Sequence, residues 1–98
     1  MLVKIHNSYR TIVAICDSDL VGKTFEEGDK QIKITENFFK GEEKTEQEVL
    51  EIIEMGTCED YTFNIVGKKS VALALKCGLI KKEGITNIQG IPVALVLL

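Results

Sequence analysis

The stretch FNIVGKKSVALALKCG, Phe63 to Gly78, holds a short apolar run, a glycine, two lysines and then an apolar segment with helical spacing. Strand, turn and helix in that order are how a phosphate is gripped, because a helix N-terminus offers free amides and a partial positive charge. A Walker loop, however, uses several glycines, so that successive amides wrap the anion, and follows its lysine with Ser or Thr. Here Gly67 stands alone, and Lys69 separates Lys68 from Ser70. The residues Asn64, Gly67, Lys68 and Lys69 therefore form a candidate anion contact of generic type, set against two lysines that merely face water.

His6, Arg10 and Asp17 form a second candidate group, which Lys23 could join as a ligand contact. A histidine beside a carboxylate can do general acid and base work if the two come within hydrogen-bond reach. Within a hairpin having a four-residue turn at Asn7 to Arg10, His6 lies beside Thr11, Arg10 sits in the turn and Asp17 is at the far end. Convergence inside the hairpin is not expected, and a half-buried histidine bonded to backbone is the plainer reading. Cys16 is followed by Asp17, and a neighbouring carboxylate opposes a thiolate. The segment GKTFEEG, Gly22 to Gly28, fails as a phosphate loop because five residues separate its glycines, with Phe25 expected to anchor it to the core. No catalytic residue, metal site or cofactor is assigned.

These residues must be carried by a framework, and alternation and periodicity supply one. Leu2 to His6 and Thr11 to Cys16 read as strands, the second apolar on both faces and so interior. Asp17 or Ser18 can cap a short turn over Asp19 to Val21. Lys30 to Thr35 reads as a half-exposed third strand after the Gly28-Asp29 pair. In TEQEVLEIIEMG, Thr45 and Glu48 have capping-box spacing, Val49, Ile52 and Ile53 form a stripe, and Gly56 reads as a left-handed stop. Tyr61 to Val66 reads as a strand and Val71 to Cys77 as a mostly buried helix ending at Gly78. Gly84 and Gly90 bracket Ile85 to Gln89, and VALVLL, Val93 to Leu98, is an apolar run expected to be covered on both sides. The expected fold class is α+β: one compact domain over residues 1–98, with a mixed or antiparallel sheet of five or six strands and two helices.

The order of segments VKIH, Arg10, VAICDSDLVGKTFEEG, FFKGE, NIVGKKSVALAL, GLI and QGIPVA resembles a family of small archaeal proteins described only as a domain of unknown function. The most specific part is CD-x-x-LVGKTFEEG at 16 to 28. The resemblance implies no activity; the polar positions it shares are His6, Arg10, Asp17, Lys23, Glu26 and Asn64. This chain departs from the family at Lys68 and Lys69, where relatives carry acidic or mixed residues, and at Val93, where they carry a histidine after the proline.

Ninety-eight residues, 45% apolar and 28% charged, suffice for one core. Cys16, Cys58 and Cys77 are odd in number and never in CxxC, so they read as buried free thiols. No apolar run approaches a membrane span and no signal segment is recognisable, so a cytoplasmic location is expected. The net charge of −3 is unevenly spread. Residues 36–60 set Lys40 and Lys44 against nine acidic residues, whereas from Tyr61 onward five lysines face only Glu83. Such separation steers charged partners. The leading expectation is a non-catalytic binding or adaptor module with a protein or RNA partner, no membrane contact and no DNA-binding motif. The alternatives are a small-molecule or anion-binding protein or enzyme with a site near His6, Arg10, Asp17 and Lys23, and a homo-oligomer whose VALVLL strand pairs across subunits.

Overall fold

Strand β1, Leu2–Asn7, and strand β2, Thr11–Cys16, form the antiparallel hairpin that opens the computed structural model, which describes all 98 residues. Its register pairs His6 with Ile12 and Asn7 with Thr11, so the turn is Ser8 to Arg10 and not the four-residue turn expected. Ser8 Oγ donates to the Arg10 carbonyl and closes that turn locally. After a 3-10 turn at Ser18–Leu20 come β3, Thr24–Glu27, and β4, Lys30–Lys33, which pair as a separate small hairpin. Helix α1, Glu36–Phe39, and strand β5, Glu42–Glu43, lead into helix α2, Glu46–Cys58. Strand β6, Thr62–Val66, helix α3, Lys68–Lys76, strand β7, Thr86–Ile88, and strand β8, Ile91–Leu97, complete the chain.

The main sheet is mixed and six-stranded, in the order β5-β1-β2-β6-β8-β7. Its single parallel pair joins β2 to β6, placing Cys16 level with Val66. The fold is α+β as expected, and the mixed main sheet has six strands, within the five or six read from the sequence; a separate two-stranded sheet and a third α-helix are additional. The missed pieces are short: β5 spans two residues, α1 four, and β3 has only Phe25 turned inward. No helix is long and apolar enough to cross a membrane.

Alternation along the strands divides the interior in two. Val3, Val13, Ile15, Phe63 and Ile65 pack under α2 and α3, whereas Ala14, Cys16 and Val66 face Leu20 of the 3-10 turn, Ile34 just after β4 and Phe39 of α1. β2 is buried on both faces, as its TIVAIC run requires. Phe25 packs against the second layer and holds the GKTFEEG turn to the core, as expected.

Two expectations are overturned here. Gly56 does not end α2; the helix continues to Cys58, and the left-handed residue is Asp60, at φ 55°. Gly56 is glycine for a different reason, since a Cβ there would lie 2.4 Å from the Phe63 ring, so its absence lets α2 settle onto β6. The run VALVLL is not covered on both sides: Leu95 is 58% and Leu97 70% exposed, because the small hairpin spans only part of its face of the sheet.

Candidate functional site

The parallel pair determines where a site can form. Beyond Cys16 the chain leaves β2 toward the layer containing Leu20, and beyond Val66 it leaves β6 toward the layer containing Val71 and Leu73. Chains diverging to opposite faces at the carboxyl ends of adjacent parallel strands leave a crevice, the usual position for ligands in open sheets. A cleft of about 660 Å3 lies there, lined by Asp17, Ser18, Asp19, Glu43, Lys68 and Lys69, with Leu20 and Ile91 as its apolar wall.

Asp17 is buried within this crevice, and its carboxylate is fully engaged. Oδ2 accepts from the Lys69 amide at 3.0 Å; Oδ1 accepts from the Ser70 amide at 2.8 Å and from Ser70 Oγ at 2.7 Å. The second and third amides of α3, those of Lys69 and Ser70, are thus occupied by a carboxylate from the chain itself, 52 residues away from Lys69 in sequence. Asp17 does not cap the 3-10 turn that follows it, because its side chain is turned across the crevice instead. Gly67 makes the approach possible. At φ 113° and ψ 155° it occupies backbone space that only glycine readily enters, and a Cβ there would stand 2.3 Å from Asp17 Cγ.

The rest of the wall is also internally paired. Glu43 accepts from the Met1 ammonium and from Ser18 Oγ, and these two contacts, the ammonium foremost, hold its carboxyl below the usual range. Lys68 and Lys69 are exposed and join no ion pair; the chain's four ion pairs involve Met1, Lys40 and Lys44 as cations.

The remaining sequence candidates lie elsewhere. His6 is level with Ile12, five residues of extended chain from Asp17, or about 16 Å. Its Nε2 is 2.9 Å from the Phe38 carbonyl, and its ring stacks on Phe38 with centroids 4.7 Å apart, the half-buried, backbone-bonded state expected of it. Arg10 donates to the Leu98 carbonyl at 3.2 Å, at the same far end of the sheet. Asn64 sits mid-strand between Ala14 and Leu95. Lys23 is tied by its backbone to Leu20 and Ile34, with an exposed side chain. Of the eight candidates, Asp17, Gly67, Lys68 and Lys69 converge, and His6, Arg10, Lys23 and Asn64 do not join them.

The thiols need one correction. Cys16 is buried as expected, and burial, then the Asp17 charge, pushes its pKa up to about 11. Cys58 and Cys77 are exposed, at the ends of α2 and α3, where no layer covers them. No group of three or more His, Cys, Asp and Glu side chains is arranged to hold a metal ion.

The family model described as "Protein of unknown function (DUF424)" matches residues 5–98. The chain belongs to DUF424. Its fold is similar to that of an uncharacterized conserved protein from Methanopyrus kandleri known by crystal structure, with a TM-score of 0.83 at 22% identity, covering 97% of this chain and 88% of that one. No curated protein matches the sequence. The DUF424 segment spans both the Asp17 and Gly67 sides of the crevice.

Sequence reasoning named Asp17 and Gly67 without linking them, and did not assign Ser18, Asp19 or Glu43 to a cleft. One signal was available. The sequence offers Gly67 or Ser70 before α3, and a start at Gly67, the one the structure shows, leaves the helix without a side-chain cap of its own.

Proposed function

We propose that the protein is a non-catalytic, cytoplasmic binding module that docks on a larger RNA-containing assembly through its lysine-bearing side. The observation that carries this reading is the freedom of its lysines. Lys68, Lys69, Lys76, Lys81 and Lys82 are all exposed, and none has a carboxylate within ion-pair distance, although the acidic helix α2 packs on the same face of the sheet. Lys69 and Lys76 stand seven residues apart on α3, two helical turns, and so share one face with exposed Ala72 between them. Such a stripe suits a phosphate backbone better than a single compact anion, and the buried Asp17 has already taken the amide cradle that a compact anion would want.

A fluorescently labelled RNA tests the reading. Affinity should fall as salt rises, with a logarithmic slope of about −0.7 for each single-strand phosphate contacted. The double substitution Lys68→Glu and Lys69→Glu should reduce binding at least tenfold. Absence of binding at low salt, or binding indifferent to the double substitution, would refute it.

A further inference from the structure

Strand β8 has a neighbour along its whole length on one side only. β6 pairs with Val93 to Leu97, whereas β7 reaches only Ile91 to Val93. The Gly67 amide donates to the Pro92 carbonyl, which sets the alternation: the backbone groups of Pro92, Ala94 and Val96 face β6, and those of Ile91, Val93, Leu95 and Leu97 face the other way. β7 takes up Ile91 and Val93. The amides and carbonyls of Leu95 and Leu97 find no partner in the chain, and the same two residues carry the exposed leucine side chains.

An open edge is ordinarily blunted by a lysine, a bulge or a covering element. The opposite edge of this sheet obeys that rule. β5 pairs with Leu2 and Val3, Lys4 Nζ donates to the Asn37 carbonyl, and His6 lies stacked against Phe38 of α1. Residues 91–98 contain no charged side chain.

We infer that this edge is a self-association surface, closed by the β8 edge of a second copy running antiparallel about a two-fold axis at Val96. The open backbone groups specify a strand as the occupant. With two open residues spaced one apart, the edge complements itself: Leu95 of each copy meets Leu97 of the other, and both pairs exchange both hydrogen bonds. All four leucines then lie side by side on one face, and no charge is buried. A short ladder with four leucines is smaller than the roughly 1,200 to 2,000 Å2 of a stable interface, so the dimer is reversible and concentration-dependent.

Sedimentation of the full chain from low micromolar to near-millimolar concentration tests this. The mass should rise from 10.9 kDa toward twice that value. Leu97→Pro removes an outward amide without touching the β6 ladder, and should weaken association at least tenfold. Should that variant lose its circular-dichroism signature, Leu95→Lys, a charge placed on an exposed position, carries the test. A mass fixed at the monomer value, association that survives both substitutions, or growth beyond a dimer through the β1 edge would each overturn the inference.

Discussion

At the scale of single residues, chemistry and burial are set against each other. Cys16 shows it most simply. The thiol is buried and beside the Asp17 charge, and its pKa of about 11 keeps it protonated at any working pH. Cys58 and Cys77 are exposed. A thiol-reactive disulfide reagent at pH 8 should therefore titrate two thiols rapidly in the native protein and the third only after denaturant is added; three rapid equivalents would show that the second layer does not seal Cys16. His6 is likewise settled by its surroundings, with one ring nitrogen on a carbonyl and one face on Phe38. Both residue outcomes were legible in the sequence, because an apolar strand buries its cysteine and a lone histidine rarely lacks a backbone partner. The exposure of Cys58 and Cys77 was not legible. It depends on where the helices end relative to the layers, and local periodicity does not encode that.

At the scale of elements, local chemistry predicted the ends it controls. Thr45 and Glu48 form the reciprocal capping box: Thr45 Oγ1 accepts from the Glu48 amide, and Glu48 accepts from the Thr45 amide. That backbone hydrogen bond, with the threonine hydroxyl contributing, holds the Glu48 carboxyl below its ordinary value. A carboxyl depressed in the folded state contributes stability above its unfolded pKa, and the contribution is lost as pH falls through the depressed value. Glu48→Gln keeps a capping acceptor but removes the charge. The gap in melting temperature between wild type and this variant should thus be present at pH 6 and shrink toward pH 3, and a gap independent of pH would contradict the assignment. The ends that local chemistry does not control were misread. Gly56 reads as a stop because glycine commonly is one, but its absent Cβ serves the contact with Phe63. The β3 and β4 hairpin went half seen, because one inward residue in four leaves almost no alternation to detect.

For the whole molecule, the α+β class and the interior position of β2 could be read from the pattern, whereas the strand order and the crevice could not. A parallel pairing between residues 12–16 and 62–66 is a long-range event with no turn to announce it. That pairing brings Asp17 to Gly67, Lys69 and Ser70, and so makes one carboxylate the tie between the chain leaving for one layer and the helix covering the other. The charge pattern, by contrast, is only partly separated by folding: Glu46 of α2 borders the grooves that Lys69 and Lys76 line, yet no carboxylate pairs with these lysines, which is why binding through lysines is the function we favour. The central claim is that the Asp17 carboxylate is spent on holding the two layers together and is not held ready for a reaction. Urea unfolding of Asp17→Ala tests it most directly. Loss of the charged cap with its three hydrogen bonds should lower stability by about 2 to 3 kcal/mol, with Asp17→Asn falling between the variant and wild type. An Asp17→Ala protein as stable as wild type would contradict the account.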